Sequence, residues 1–293
     1  MRLSRLGILV IIAFTVLVGA NCSYYNRIVA RKNLVDGATA YKERKFALAE
    51  ERFRKAVSID PDGKTLEGRT AQLFLARTLH SEYIADRKLT QKGEEAIEQY
   101  KKTLASDINE QSAFKAIANL LDSLNRKDEA LKWITDRAEN QNVKADYRAE
   151  AYTSLAAKQY SCANDISDVE PAKKTVKKDG KDVFEFHKPE SPEEYEKLTQ
   201  CAAKGMEFID KAIEFEKQAG VETDSVWSYK ANLLIQKMRI AEMDGNTADK
   251  DRFKKEADEA KEKFTKLAAA KREKEEAEAE KKRQEEEAAN TKK

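Results

Sequence analysis

The sequence predicts an almost all-helical protein, and its composition gives the first two reasons. Glycine and proline together supply only 14 of the 293 residues, about 5%, against about 12% in an average protein. Charged residues make up 37% of the chain, compared with about a quarter in typical globular domains. Few helix breakers and abundant Glu, Lys and Ala favour helices and argue against collagen-like, disulfide-dense and β-sandwich structures.

The third reason is a helix pair that recurs along the chain. In residues 34–61, Gly37 is followed twelve positions later by Ala49. In residues 111–138, Ala118 and Ala130 have the same separation. A small residue on each helix lets two antiparallel helices approach closely, while large apolar residues three or four positions away fill the contact. Polar turns separate the two helices of each pair, which predicts helical hairpins.

This pattern resembles the tetratricopeptide repeat, a 34-residue helical hairpin with conserved aromatic, small and proline positions. Residues 149–156 and 224–234 match its first helix, and second helices match around Ala96 and Gly205. The resemblance implies a TPR-like α-solenoid of about five helical hairpins over residues 30–267.

Departures from the repeat length predict helices of unequal size. The paired small residues lie 20 positions apart in the second repeat (Ala76 to Ala96), 49 in the fourth and about 26 in the fifth. The last spacing predicts two long helices around residues 244–246. A long coiled coil is the competing interpretation, but it needs an unbroken heptad pattern, and the polar turns at Asn125 and at 244–246 interrupt one.

The fourth repeat contains an insertion, residues 163–192, which holds three of the four prolines. Within it, Asp179-Gly180 predicts a two-residue type I′ turn that pairs Val176 with Val183. We therefore expect a small β-hairpin that projects from the helices.

Two interpretations of this insertion stay open. It is a surface loop held down by its aromatic residues, or it is a partner-binding finger, because insertions in repeat arrays often lie on the binding face. In the second case Phe184 and Phe186 are the candidate contact residues.

Residues 1–22 combine a basic start with an apolar run. Arg2 and Arg5 precede fifteen uncharged residues, 6–20. This run has the length of a signal-peptide core and is shorter than the roughly 20 residues that span a bilayer. Three interpretations remain: cleavage after residue 20, a lipoprotein signal with lipidation of Cys22, or an uncleaved anchor.

The lipoprotein interpretation has one departure from the usual pattern, because Asn21 stands where Gly, Ala or Ser normally precedes the lipidated cysteine. All three interpretations predict an exported, membrane-tethered protein on the periplasmic face or in the cell envelope. Without residues 1–20, the chain carries 53 basic and 53 acidic residues. A balanced chain lacks the basic face of nucleic-acid binders, so we expect no nucleic-acid partner.

The chain has three cysteines, Cys22, Cys162 and Cys201. If Cys22 carries a lipid, Cys162 and Cys201 remain, and these two cysteines flank the insertion. In an oxidising compartment the pair predicts a disulfide, with two buried thiols as the alternative. We expect no metal site, because His80 and His187 are the only histidines and neither lies near a Cys-x-x-Cys motif.

No sequence motif indicates catalysis or a cofactor. The chain lacks the dinucleotide-binding, P-loop, nucleophile-elbow and zinc-protease patterns. Its Glu and Lys residues follow the polar faces of helices. We therefore predict a protein that is not an enzyme and has no cofactor; a hydrolase acting on envelope sugars through two carboxylates is the least favoured alternative.

Helix-pair arrays use their first helices to line a concave groove. Candidate groove residues are first-helix positions outside the core pattern: Tyr41, Lys115, Asn119, Tyr160, Asn232 and Gln236. Lys115 and Asn119 match positions with which tetratricopeptide domains of the carboxylate-clamp kind hold a peptide terminus. Leu34 and Ala38 occupy the matching places of the first repeat, so the clamp is incomplete.

The last 26 residues, 268–293, contain eight basic and eight acidic residues, and no large apolar residue follows Leu267. This tail is either an exposed helix with i,i+4 ion pairs or a disordered segment. Together these features predict a non-catalytic scaffold or adaptor for other envelope proteins or peptides, tethered to the membrane through its N-terminus. A structural spacer between membrane and cell wall is the alternative.

Overall fold

The computed structural model describes residues 25–290, with side chains through residue 288. It contains ten described helices and one two-stranded antiparallel sheet. The chain divides into two compact units between Lys132 and Trp133, within the sixth helix. The first unit contains α1 (25–42), α2 (Phe46–Ile59), α3 (Leu66–Ala85), α4 (Thr90–Ser106), α5 (Gln111–Ser123) and the start of α6 (Lys127–Glu139). The second contains α7 (Ala145–Ser167), β1 (Lys173–Lys178), β2 (Lys181–Phe186), α8 (Pro192–Ala219), α9 (Asp224–Met243) and α10 (Thr247–Asn290).

The helices confirm the five predicted hairpins, including the two long helices that meet at residues 244–246. Each unit has the helical-hairpin architecture of a TPR-like α-solenoid.

The small residues act as the sequence predicts, by bringing neighbouring helices close together. Gly37 of α1 packs on Phe53 of α2, and a Cβ at position 37 would lie 2.7 Å from a ring carbon of Phe53. The Phe53 ring is fully buried and stacks on Phe74 of α3 at 5.5 Å between ring centres. One glycine thus lets three consecutive helices share an aromatic core.

The same hydrogen-bonded turn closes three of the hairpins. The N–H groups of Lys45, Arg126 and Asn246 donate to carbonyls five residues earlier, at 2.9, 2.8 and 2.8 Å. In each case the preceding residue has left-handed backbone angles, with φ of 59° at Arg44, 60° at Asn125 and 70° at Gly245. This is the Schellman closure of a helix C-terminus, and its recurrence explains why short polar turns suffice between the helices.

The second unit repeats the close approach with a different pair of residues. Gly205 of α8 faces Leu233 of α9, and a Cβ at position 205 would lie 2.4 Å from a methyl carbon of Leu233. Tyr152 of α7 stacks on Phe215 of α8 at 5.6 Å. The core therefore continues from α7 through α8 to α9.

The inserted β-hairpin has the predicted register. Val176 pairs with Val183, and the remaining pairs continue to Lys178↔Lys181 at the turn and Lys173↔Phe186 at the base. Asp179 and Gly180 both have positive φ, 52° and 76°, as a type I′ turn requires. The dipeptide and the flanking valines therefore set the register.

The charged tail is helical as far as residue 290, since α10 runs without a break from Thr247 to Asn290. Partly buried residues of α10 extend to Ala268, and residues 269–288 are exposed. No helix within residues 25–290 is long and apolar enough to cross a membrane. The predicted signal or anchor, residues 1–22 with Cys22, lies outside the described residues.

Candidate partner-binding surfaces

The insertion is closed at its base by a covalent bond between two helices. Cys162 of α7 and Cys201 of α8 form a disulfide with their Cα atoms 6.1 Å apart. It lies against buried Ala163 and Leu198. Because the two cysteines are 39 positions apart, the bond ties the two ends of the segment that contains the hairpin.

Arg239 of α9 connects the hairpin to the end of α7. Its guanidinium donates hydrogen bonds to Asn164 Oδ1 at 3.3 Å and Ser167 Oγ at 3.0 Å, and pairs with Asp168 Oδ1 at 3.2 Å. Its Cζ atom lies 4.5 Å from the centre of the Phe186 ring. Burial lowers the pKa of Arg239, although Asp168 opposes the shift. With 15% of its side chain exposed, the residue is a largely buried joint between α7, α9 and β2.

Gln236 belongs to this buried joint, and its assignment to an exposed groove is wrong. The residue is only 1% exposed. Its amide oxygen accepts a hydrogen bond from Ser167 at 2.6 Å, and its amide nitrogen donates to Asn164 at 3.1 Å. Both halves of the amide therefore serve the contact between α7 and α9.

Two further contacts hold the hairpin base on α9. The backbone N–H of Phe186 donates to Glu242 Oε1 at 3.4 Å, and the other oxygen of Glu242 pairs with Lys250 at 2.9 Å. Just after β2, the Lys188 ammonium lies 2.7 Å from Asp244 Oδ1. Sequence reasoning missed Arg239 and Glu242, because their partners in α7 and in the hairpin lie more than fifty residues away.

The two phenylalanines of β2 have different surroundings. Phe186 is half-buried under Arg239, so it anchors the hairpin. Phe184 is 58% exposed, and its main neighbour is the Lys173 ammonium, 4.2 Å from the ring centre. Phe184 is therefore the aromatic residue that the hairpin leaves available on the surface.

The first unit presents three of the candidate groove residues. Tyr41 is half-buried: its hydroxyl lies 3.0 Å from Ser81 Oγ, and its ring packs edge-on against Phe46 and Phe74. Lys115 and Asn119 lie one turn apart on the exposed face of α5. The assignment of this exposed pair to a groove stays a prediction, whereas Tyr41 contributes mainly to packing.

The second unit holds Tyr160 on α7 and Asn232 on α9. Both are partly exposed, and the Tyr160 ring lies 6.3 Å from Tyr229 in an edge-on contact. Tyr160 and Tyr229 thus bring an aromatic contact to the side of the unit where α7 and α9 meet.

A charge cluster in the first unit was not predicted from the sequence. Lys92 of α4 binds Glu50 of α2 and lies 3.0 Å from Glu82 of α3. Burial works against ionisation of both acids, yet hydrogen bonds from Lys92 and Arg54 lower the pKa of Glu50. At Glu82 burial prevails and raises the pKa. The cluster joins three helices and has the contacts of a structural ion pair network.

A cavity of about 350 Å³ in the second unit is rich in carboxylates, and it bears on the hydrolase alternative. Glu216 lines it, and burial raises the pKa of that carboxyl. Its carboxylate accepts hydrogen bonds from the backbone N–H of Thr223, at 3.1 Å, and from the Thr223 hydroxyl. Asp224, also in the lining, pairs with Lys271 at 3.3 Å. Both acids have partners within the fold, at the connection between α8 and α9.

No protein-family model matches the chain, and no curated protein matches it. Among solved structures, it is similar to the MamA protein, with 16% identity, a TM-score of 0.43, and coverage of 81% of this chain and 94% of that one. It is also similar to PilF of Pseudomonas aeruginosa (14% identity, TM-score 0.33, 78% and 90% covered). A third similar structure is YrrB, described as a TPR protein with an unusual peptide-binding site (14% identity, TM-score 0.32, coverage of 63% of this chain and 85% of that one). The helical hairpins, their glycine contacts and their shared turns give the chain a TPR-like helical-repeat fold.

Proposed function

We propose that this chain is a non-catalytic scaffold or adaptor that holds other proteins of the cell envelope. The observation that supports this proposal is that several contacts fix the base of the β-hairpin on the helices and leave its tip exposed. A disulfide, a largely buried arginine and a carboxylate on α9 hold its base, while Phe184 and the hairpin tip stay at the surface. A surface element fixed in this way has little conformational entropy to lose when it binds.

The groove-side residues Lys115 and Asn119 form the second proposed contact. First helices of stacked hairpins line a concave surface that can bind a peptide, and the exposure of both side chains on α5 supports this contact. The envelope location rests on residues 1–22, which carry the features of a signal or anchor with Cys22 as the lipidation candidate.

Crosslinking in the native membrane, followed by partner identification, tests the scaffold. One variant replaces residues 175–184 with Asn-Gly, which keeps the Lys174–Glu185 pair on either side of a two-residue turn and removes the tip only. A second changes the charge pattern at the proposed groove: K115E reverses one charge and N119K adds a positive charge. The control is K55E, on an exposed ion pair of α2.

We expect the tip or the groove variant to lose the crosslinked partner and the control to keep it. Retention of the same partner by both variants would show that the proposed surfaces are wrong. Mass spectrometry of the mature N-terminus tests the tether separately, because a diacylglyceryl group on Cys22, a free Asn21 and an intact Met1 have different masses.

A structural spacer is the second candidate, and the specific observation in its favour is α10. Its exposed part, residues 269–288, extends about 30 Å at 1.5 Å per residue and carries i,i+4 and i,i+3 ion pairs such as Lys281–Glu285 and Arg283–Glu280. Deletion of 268–293 is expected to alter cell-wall association if this role holds, and to leave partner capture unchanged.

The hydrolase remains the least favoured alternative. Its test is a double variant, E216Q with D224N, assayed on envelope glycans beside the unmodified protein. If the unmodified protein cleaves glycans and this variant does not, the protein is a hydrolase and the scaffold proposal is wrong.

A further inference from the structure

The two edges of the hairpin differ in what covers them. In a hairpin with a two-residue turn, the pair next to the turn is hydrogen-bonded, and hydrogen-bonded pairs then alternate with pairs whose backbone groups point outward. The register therefore turns the N–H and C=O groups of Thr175 and Lys177 away from β2, and those of Asp182 and Phe184 away from β1.

The base of each edge is occupied, which agrees with this alternation. On β2 the outward N–H of Phe186 donates to Glu242 of α9. On β1 the outward N–H of Lys173 donates to the carbonyl of Val169 at 3.0 Å. Within residues 25–290, the outward groups of Thr175 and Lys177 have no backbone partner. Since β2 leans on α9, β1 is the more open edge.

The charge beside this open edge is positive. Between residues 173 and 188 the chain has six lysines and three acids. Lys173 pairs with Asp168 and Lys178 with Glu185. Lys174 and Lys177 are exposed and have no ion pair among the described residues. In the register Lys174 stands opposite Glu185 and Lys177 opposite Asp182, and the two lysines lie on opposite faces of the sheet. Because lysines outnumber acids here, an acidic strand beside β1 would meet one ammonium group on each of its faces.

The open backbone groups and the lysines of β1 favour one kind of binding partner over the others. Lysines on an edge strand oppose its pairing with a second copy, because like charges would face each other across the new ladder. A lipid surface offers anionic groups but no row of backbone donors and acceptors. An extended acidic peptide satisfies both the backbone groups and the lysines, and it adds a third strand to a two-stranded sheet that is small on its own.

We propose that β1 binds an extended, acidic segment of a partner protein by β-strand addition, through the outward backbone groups of Thr175 and Lys177 and the charges of Lys174 and Lys177. Backbone hydrogen bonds then supply the affinity, and the lysines supply the selectivity for acidic sequences. Exposed Phe184 lies on the same face as Thr175 and Lys177, so a strand that places its glutamates beside Lys174 places its valines on the face of Phe184. This inference rests on the proposed scaffold function and names the chemistry of its partner.

The test uses the full chain and a labelled ten-residue peptide of alternating glutamate and valine. Three matched peptides accompany it: one with lysine in place of glutamate, one with N-methyl groups on four consecutive central residues, which blocks both edges of the peptide, and one with glutamate and glycine. Fluorescence anisotropy measures binding, and NMR reports the amide signals of Thr175 and Lys177. N-methylation blocks strand addition without changing charge, so that peptide separates backbone pairing from simple electrostatic attraction.

Two proline variants of the protein provide the matched comparison. T175P removes an outward N–H from the β1 edge, and D182P removes one from the β2 edge; proline is tolerated at such positions because neither N–H pairs with the other strand. A third variant, K174Q with K177Q, removes both charges without placing acids opposite Glu185 and Asp182. The Cys162–Cys201 peptide map and the circular dichroism spectrum check that each variant folds.

We expect T175P and the charge variant each to weaken the glutamate–valine peptide at least tenfold and D182P to change it less than twofold. We also expect the Thr175 and Lys177 amides to shift. Equal binding of the N-methylated peptide, equal effects of T175P and D182P, or no binding at about 1 mM peptide would each overturn the proposal. So would binding of anionic phosphatidylglycerol vesicles that the peptide does not displace.

Failure here is distinguishable from failure of the scaffold. If the native crosslinked partner survives T175P but is lost from the K115E and N119K variant, the scaffold stands and strand addition to β1 does not.

Discussion

The guanidinium carbon of Arg239 lies 4.5 Å from the centre of the Phe186 ring, and this contact joins β2 to α9. The same guanidinium binds Ser167 and Asp168 at the end of α7. The Arg239 side chain therefore holds the base of the β-hairpin against α7 and α9. The finding separates the base of the hairpin, which is structural, from its tip, which is available to a partner.

The first prediction compares the two phenylalanines of β2. F186A removes the ring that Arg239 covers, and we expect it to lower the free energy of unfolding of the second unit by about 1–2 kcal/mol, from lost apolar burial and cation–π contact. F184A removes an exposed ring and is expected to cost less than about 0.5 kcal/mol. Urea unfolding followed by tryptophan fluorescence reports this unit, because Trp133 and Trp227 both lie in it. Equal losses in the two variants would contradict the division into base and tip.

The second prediction concerns the disulfide. A C162S and C201S double variant is expected to lower the free energy of unfolding of the second unit by about 2–4 kcal/mol, since the bond closes a loop of 39 residues. Non-reducing and reducing peptide maps of the purified native protein check that the bond is present. Free thiols at both positions in that protein would reject the oxidised form and with it the expected difference in stability.

The third prediction uses the shared turn. Arg44 adopts φ of 59° where Gly245 adopts 70° in the corresponding turn. Glycine takes such angles without a Cβ clash, so R44G is expected to raise the stability of the first unit by up to about 1 kcal/mol and G245A to lower that of the second by about 1 kcal/mol. Thermal unfolding by circular dichroism measures the first variant, and tryptophan fluorescence the second. Changes of the same sign would show that the turns do not share the backbone requirement inferred here.

Local patterns were sufficient to predict the helical hairpins, their turns and the β-hairpin register. Asp179-Gly180 with its flanking residues defines the hairpin because the turn type depends on two adjacent backbone conformations. Likewise Gly37 and Gly205 mark close helix contacts, since only a missing Cβ permits such distances.

Polar contacts between distant segments were not predictable in this way. Gln236 follows the helical pattern of an exposed residue, yet Asn164 and Ser167, about seventy positions earlier, bury it. The ion pairs of Lys92 with Glu50 and Glu82 depend likewise on how three helices meet. Spacing along one helix carries no information about such partners.

The fourth prediction concerns pH and Glu216. Burial raises the pKa of this carboxyl above the ordinary value of 4.5, so the folded protein holds a proton there at pH values where the unfolded chain has released it. Stability from this group is therefore fully present below pH 4.5 and is lost as pH rises through the folded-state pKa. E216Q cannot lose the proton, and its amide oxygen still accepts the Thr223 hydrogen bond.

We therefore expect the difference in unfolding free energy, E216Q minus unmodified protein, to increase in favour of the variant between pH 4.5 and 7. Urea unfolding by tryptophan fluorescence at several pH values measures this difference, and other titrating groups cancel from it. E51Q provides the control, because Glu51 lies in the other unit in an exposed ion pair. A difference for E216Q that decreases as pH rises would mean that hydrogen bonds from Thr223, rather than burial, dominate the ionisation of Glu216.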